Sequence, residues 1–208
     1  MNENVFREYD IRGVVESDFP DSFVYNLGRA YATFLIENQE NKISVSGDIR
    51  SSTIKLKEYF IRGLIDSGIN VFDLGIIPTP LNYFSLFRTD IHHSVQITGS
   101  HNPPEFNGFK FSFDKKPFFS NNIQYLKKII KSNSFRKNNI KGTISNLDII
   151  EDYKNYIEHN INIEKTISCV MDCGNATGSL IAPDIFKLFD INLKEMYCNV
   201  DETFPNHH

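Results

Sequence analysis

Short apolar runs alternate along the chain with longer segments in which apolar residues recur every three or four positions. The runs are typical of strands, and they lie at residues 43–46, 71–74, 94–98, 108–113 and 140–145. The helical spacing predicts helices at residues 21–39, 53–67, 81–87 and 123–132. Asp21 or Ser22 is expected to cap the first helix, and Gly68 to end the second.

This order of elements predicts an α/β fold. Strands that alternate with helices form βαβ units, so neighbouring strands run parallel and the helices cover both faces of the sheet. We therefore expect residues 1–147 to form a three-layer α/β/α domain with a mainly parallel mixed sheet. Loops beyond the carboxyl ends of such strands converge on one crevice, where ligands bind.

The pattern begins again in residues 148–208. A helix at residues 148–161 is expected to lead into a buried strand at 167–171, a helix with Pro183 in its first turn, and a strand at 193–197. The apolar side of that last helix contains Ile181, Ile185, Phe186 and Phe189. Two or three strands leave sheet faces and edges without partners, so this second α/β unit is expected to be incomplete.

Composition narrows the class of protein. The 208 residues include 22 basic and 26 acidic side chains, and no basic run marks a nucleic-acid surface. The first ten residues are polar, unlike a secretory signal peptide, and no stretch approaches the roughly 20 apolar residues that span a bilayer. A cytoplasmic protein that contacts neither nucleic acid nor membrane is therefore expected.

Cysteines and paired histidines give no sign of a metal site. Cys169, Cys173 and Cys198 share no C-x-x-C spacing, which predicts buried free thiols rather than disulfides or a zinc site. His92 and His93 also have no metal-binding spacing, and we expect them at the surface or at a strand end.

Residues 98–110 contain the densest group of candidate catalytic residues. The segment reads T-G-S-H-N-P-P-E-F-N-G-F-K, and it leaves one predicted strand and enters the next. Ser100 would face the crevice with His101 and Lys110 beside it, as a proton relay and a positive charge. The structural alternative is that Ser100 and Asn102 only cap a turn that the prolines terminate.

Two further segments place arginines near this loop. Residues 6–13 read F-R-E-Y-D-I-R-G, in which Arg12 is either a phosphate clamp or a solvated surface charge. Asp48 and Arg50 follow a predicted strand, and we expect their ion pair to brace the loop that carries Ser100.

These segments together resemble the α-D-phosphohexomutase family. Its phosphoserine loop reads T-G-S-H-N-P-P followed by N-G-F/Y-K, and its N-terminal motif F-x-x-Y-D-I-R-G is similar to residues 6–13. Residues 170–178 look like its V-x-D-C-G-N-G segment, which we interpret as a structural turn, and residues 200–208 resemble its F-P-N-H-H-P. The stretch at 46–52 resembles G-R-D-x-R-x-S, but the first arginine is missing.

The resemblance favours the phosphomannomutase/phosphoglucomutase branch over phosphoglucosamine mutase, which has alanine before the serine where Gly99 stands here. It implies that Ser100 carries the phosphate that interconverts hexose 1-phosphate and hexose 6-phosphate through a hexose 1,6-bisphosphate. Arg12 and Lys110 would steady phosphate and assist proton transfer, His101 would line the site, and Tyr9 would contact the sugar phosphate.

The same resemblance implies Mg²⁺, bound to the phosphate on Ser100 and to three aspartates of a D-G-D-G-D-R loop that this sequence does not contain. We therefore expect an N-terminal piece of such an enzyme with negligible turnover by itself. The alternatives are a non-catalytic remnant, a partner of a separately encoded C-terminal half, and a binding module for phosphorylated sugars.

Overall fold

A computed structural model of the chain describes residues 2–207. His208, the last residue of the F-P-N-H-H stretch, lies outside these residues. The main sheet consists of β1 (Ile11–Val14), β2 (Lys42–Gly47), β3 (Asn70–Ile76), β4 (Ser94–Ile97), β5 (Phe106–Phe113), β6 (Lys116–Phe118) and β7 (Ile144–Asn146). Its helices are α1 (Val15–Asp18), α2 (Asp21–Glu37), α3 (Ser51–Asp66), α4 (Thr79–Arg88) and α5 (Asn121–Ser132).

The sheet is mixed, as predicted, with parallel strands in the half that follows the βαβ connections. Its strand order is β1-β5-β4-β2-β3-β7, and β6 pairs with β5. Strand β2 is parallel to β3 and β4, and β3 is parallel to β7. Strand β5 is antiparallel to β1, β4 and β6, because the short serine loop returns the chain directly beside β4.

Helices cover both faces of this sheet, which confirms the three-layer α/β/α architecture. On one face Phe60 of α3 packs against Phe109 of β5, with ring centroids 5.4 Å apart. On the other face Asn82 of α4 donates to the hydroxyl of Ser46 in β2, at 2.6 Å. The first face carries the larger apolar core, and burial of its side chains drives the folding of this unit.

The observed ends of the helices agree only in part with those predicted from the sequence. Gly68 follows α3 with a φ of +92°, so its role in ending this helix is confirmed. The predicted cap of α2 is wrong, because Pro20 occupies the N-cap position and makes no side-chain capping bond. Asp21 instead pairs with Lys55 of α3 at 2.7 Å.

Burial differs from expectation at His93. It directly precedes β4, so the expected place at a strand end is confirmed. It is nevertheless buried and stacks on Phe113 with centroids 4.6 Å apart, so the alternative of a surface position is wrong. Its Nδ1 accepts from the backbone N–H of Asp114, which leaves Nε2 to carry the proton and to face Glu40 at 3.2 Å. Burial lowers the pKa of His93 below its ordinary value, because the charged form is desolvated.

The second unit is small. It contains α6 (Ile150–Asn160), β8 (Ile167–Asp172), α7 (Ala182–Phe186) and β9 (Ile191–Met196), with 3₁₀ turns at Glu3–Val5 in the first unit and Thr177–Leu180 here. Strands β8 and β9 form a parallel two-stranded sheet, and Pro183 lies in the first turn of α7 as predicted.

The prediction that the first strand of this unit is buried is wrong. Only Met171 of β8 is buried, because the two-stranded sheet has no further strands and little helical cover. The cysteines are free, as predicted, but they are half-buried rather than buried. An apolar cluster that includes Leu81 of α4 and Ile181 joins the two units. Beside it, the ring of Phe84 in α4 lies 5.0 Å from that of Tyr153 in α6.

We propose the boundary between the two units at residue 147, since β7 ends at Asn146 and α6 starts four residues later. Among residues 2–207 no helix is both long enough and apolar enough to cross a bilayer.

Candidate active site

The serine loop joins the end of β4 to the start of β5 and holds Ser100 in an unusual backbone conformation. Ser100 is exposed, and its φ of +56° lies in the left-handed region that only glycine adopts without cost. Its backbone N–H donates to the hydroxyl of Thr98 at 2.9 Å, and its own hydroxyl lies 3.4 Å from Nδ1 of His101. The loop therefore presents a serine hydroxyl to solvent with an imidazole beside it.

Arg50 fixes the shape of this loop through hydrogen bonds to its backbone carbonyls. Both terminal nitrogens of the guanidinium donate to loop carbonyls, at 2.7 Å to Pro103, 3.0 Å to Phe106, 3.0 Å to Ser100 and 2.7 Å to Asn102. Its Nε donates to Asp48 at 3.2 Å, so all five N–H groups of the guanidinium are used. The planar fork of arginine suits this task, because it meets several acceptors in fixed directions.

Asp48 completes the support. One of its carboxylate oxygens accepts from the hydroxyl of Thr53 at 2.7 Å, and the other accepts from the backbone N–H of Gly99 at 3.2 Å. The expectation that Asp48 and Arg50 brace the serine loop is confirmed, and the pair is buried.

Arg12 reaches the same loop from β1. Its guanidinium donates to the side-chain oxygen of Asn102 at 2.9 Å and to the carboxylate of Asp10. The side chain is only 15% exposed, so the interpretation as a solvated surface charge is wrong. Its Nε is buried and has no hydrogen-bond partner within residues 2–207.

Lys110 and Tyr9 lie farther from the loop. Lys110 of β5 is half-buried and lies opposite Gln96 of β4. Arg12 of β1 lies opposite Gly108, two residues before Lys110 on β5, so Arg12 and Lys110 are on the same face of the sheet. Tyr9 is 70% exposed, and its ring lies 6.2 Å from that of Phe119. Neither residue lines the cleft at the serine loop, and Arg12 does not line it either.

That cleft has a volume of about 540 Å³ and lies between the two units. From the first unit it is lined by Arg50, Ser100, His101, Asn102, Pro103 and Pro104, and from the second unit by Gly174, Ala176, Phe204 and His207. The structure therefore brings Ser100 and His101 together as predicted, and it adds a second wall.

The second wall consists of residues that the sequence did not identify as part of the site. The ring of Phe204 lies 5.2 Å from the guanidinium carbon of Arg50, a cation–π contact. The Nε2 of His207 lies 3.0 Å from each carboxylate oxygen of Asp172. Residues 170–178 and 200–208 resemble family motifs, which is the sequence signal for this wall, but the interpretation of the first segment as a structural turn leaves it out of the site.

The described part of the chain brings together no set of metal-binding side chains. Among residues 2–207 no three His, Cys, Asp or Glu side chains lie close enough to hold a metal ion. Magnesium on a phosphorylated Ser100 would need further oxygen ligands, and the aspartate-rich loop that supplies them in the resembling family is not in this sequence.

The mixed sheet between two helical layers, with an exposed serine in the loop after β4, has counterparts in a known protein family. Residues 3–137 match the family described as "Phosphoglucomutase/phosphomannomutase, alpha/beta/alpha domain I", and the chain belongs to this family.

Several similar proteins carry related names. The chain is 36% identical to a phosphoglucomutase of Neisseria meningitidis over 205 residues, which is 99% of this chain and 45% of that one. It is 35% identical to a phosphomannomutase/phosphoglucomutase of Pseudomonas aeruginosa, covering 99% of this chain and 44% of that one. A crystal structure of a family member from Burkholderia thailandensis superposes with a TM-score of 0.94 at 30% identity, over 100% of this chain and 47% of that one. The chain thus spans less than half the length of these relatives.

Proposed function

We propose that this chain supplies the phosphoserine domain of a phosphohexomutase. The whole enzyme interconverts hexose 1-phosphate and hexose 6-phosphate, of mannose or glucose, through a phosphate on Ser100 and a hexose 1,6-bisphosphate. The observation that carries the proposal is the exposed hydroxyl of Ser100, 3.4 Å from the Nδ1 of His101 in a cleft between the units. The proposed place of action is the cytoplasm.

The chemistry at Ser100 follows from the charge of phosphoryl transfer. The serine oxygen forms a bond to phosphorus and its proton passes to a base, while the bond from phosphorus to the sugar oxygen breaks and that oxygen takes up a proton. His101 is the base nearest this hydroxyl, and a contact of this length shortens when substrate binds. Transfer of this kind depends on cations that neutralise the phosphoryl oxygens, and we assign that role to Arg12 and Lys110.

Arg12 is the better placed of these two cations. It already contacts the serine loop through Asn102, and its guanidinium is partly exposed, as contact with a phosphate oxygen requires. Lys110 lies on the same sheet face, and Tyr9 is exposed for contact with the sugar phosphate. Magnesium, if bound to the serine phosphate, would add positive charge there, with ligands from outside this sequence.

The glycine before the serine supports the phosphomannomutase/phosphoglucomutase assignment over phosphoglucosamine mutase. A Cβ at Gly99 would lie 2.5 Å from the guanidinium carbon of Arg50 and 2.7 Å from the carbonyl oxygen of Phe106. The clamp that shapes this loop therefore leaves no room for alanine at position 99.

Intact-mass measurement tests the proposal. After incubation with glucose 1,6-bisphosphate, we expect the chain to gain one phosphoryl group, and peptide mapping to place it on Ser100. The Ser100→Ala variant should gain none, whereas Ser17→Ala, which removes another exposed serine, should react like the parent. Turnover of mannose 1-phosphate should stay at least about a thousandfold below that of a complete enzyme, because metal-assisted catalysis is missing.

Two results would contradict the proposal in different ways. Binding of the bisphosphate without modification of Ser100 would indicate a binding module for phosphorylated sugars. Neither binding nor modification would indicate a non-catalytic remnant. Full restoration of turnover by a separately expressed C-terminal half would instead support a split enzyme.

Removal of the Arg12 guanidinium should slow the transfer. We expect Arg12→Ala to reduce the rate of Ser100 phosphorylation by about 10²–10³-fold, because a cation at the developing phosphoryl charge is lost. The control is Arg7→Ala, which removes an exposed arginine of the same N-terminal segment and should leave the rate within about twofold. Equal rates of Ser100 phosphorylation for the two variants would show that Arg12 takes no part in the transfer.

A further inference from the structure

Two cysteines meet at the end of the small sheet in the second unit. Cys173 directly follows β8, and Cys198 lies two residues beyond the end of β9. The strands run parallel with Asp172 opposite Met196, so both cysteines leave the same end of the sheet. The Sγ atoms of Cys173 and Cys198 lie 3.4 Å apart.

We propose that Cys173 and Cys198 are a redox-active thiol pair that closes reversibly to a disulfide in the wall of the serine cleft. The sulfur atoms need to approach by about 1.4 Å to reach bonding distance. Both side chains are half-buried, so a small disulfide reagent reaches them. The backbone N–H of Cys173 already donates to the carbonyl of Met196 at 3.2 Å, which holds the two chain segments together.

The third cysteine of the chain provides a contrast. Cys169 precedes Cys173 by four residues on the extended strand β8, which places it about 13 Å away along the strand. In register it lies opposite Leu193, well before Cys198. Cys169 is thus a matched thiol in the same unit that cannot join the pair.

A disulfide such as oxidised glutathione is a sufficient oxidant. Burial and the neighbouring Cys198 raise the pKa of the Cys173 thiol to about 11, which disfavours the Cys173 thiolate. The Cys198 sulfur bonds to one glutathione sulfur and releases one glutathione. Cys173 then loses its proton, attacks the Cys198 sulfur and releases the second glutathione, so two thiols are oxidised and one disulfide is reduced.

The cross-link would connect two parts of the cleft wall. Cys173 precedes Gly174, which lines the cleft, and Cys198 begins the segment that carries Phe204 to Arg50 and His207 to Asp172. Closing the bond restricts the 24 residues between the two cysteines in the unfolded chain, which stabilises the folded second unit. The pair is thus positioned to stiffen the wall opposite Ser100 under oxidising conditions.

Peptide mapping without reduction tests the pair. After treatment of the folded chain with oxidised glutathione, we expect a Cys173–Cys198 linked peptide that dithiothreitol removes, with Tm raised by about 5 °C or more. Cys173→Ser should retain one glutathione on Cys198, because the resolving thiol is gone. Cys198→Ser should form no internal disulfide, and Cys169→Ser should behave like the parent.

The outcomes are separable from those of the phosphorylation test. Ser100→Ala should form the same disulfide, since the thiol pair does not require the serine. Far-ultraviolet circular dichroism of each reduced variant checks that it is folded before oxidation. A disulfide that includes Cys169, or a stable glutathione adduct in the parent chain with no closure, would overturn the proposal.

Discussion

Replacing Arg50 by alanine is expected to lower the free energy of unfolding by about 3–5 kcal/mol and to stop phosphorylation of Ser100. The substitution leaves Asp48 buried without its partner, and removal of one member of a buried ion pair costs this much. It also removes the donors that hold the carbonyls of Ser100 and Asn102. The left-handed conformation of Ser100 would then lose its support. Urea unfolding and intact-mass measurement check the two effects.

Two variants keep this prediction testable if the alanine variant is too unstable to purify. Arg50→Lys keeps the charge but offers three donors instead of five, so we expect a smaller loss of stability and a disordered serine loop. Arg62→Ala, on the helix α3 that follows Arg50, removes an arginine that is 68% exposed, and it should change stability by less than about 0.5 kcal/mol. If Arg50→Ala is as stable as Arg62→Ala, Arg50 does not brace the loop.

The strands and the serine loop could be predicted because their signals are local. Apolar runs mark β2, β3 and β4, and the turn residues between Thr98 and Asn107 mark the loop. The brace by Asp48 and Arg50 was also predictable, since a parallel strand places the residues that follow it at the crevice edge. Its detailed role, with every N–H of Arg50 engaged, depends on where the loop carbonyls point. That direction is not encoded in residue spacing.

The parts that could not be predicted depend on contacts between distant segments. The second wall of the cleft brings Phe204 to Arg50 across 154 positions of sequence, and no periodicity records such a contact. The polar residues beneath α4 are a similar case. Ser46, Asn82 and Gln96 are polar in sequence, yet they are buried because they bond to one another. Likewise, His93 is buried because Phe113 stacks on it.

These observations connect the fold to the proposed chemistry. The strained turn at Ser100 persists because buried groups determine its shape, and those groups come from the connection between β2 and α3 rather than from the loop itself. The serine is therefore exposed while hydrogen bonds from buried side chains hold the backbone around it. A hydroxyl held in this way loses less entropy when it is aligned with an incoming phosphoryl group, which favours reaction.

The rigid support of the loop depends in turn on the close packing of α2 against α3. Replacing Gly28 by alanine is expected to destabilise the chain by about 3 kcal/mol, beyond any gain in helix propensity of about 1 kcal/mol. A Cβ at Gly28 would lie 2.2 Å from the carbonyl oxygen of Phe60, and one at Gly63 would lie 2.2 Å from that of Tyr25. Backbone atoms cannot move aside as a flexible side chain does, so the two helices must separate. The same separation displaces α3, whose first turn lies next to Arg50, so Ser100 phosphorylation should slow as well.

Gly178→Ala is the matched control, because no atom lies within 4 Å of its added Cβ, and its free energy of unfolding in urea should change by less than about 1 kcal/mol. Equal free energies of unfolding for Gly28→Ala and Gly178→Ala would show that the contact between α2 and α3 does not require glycine.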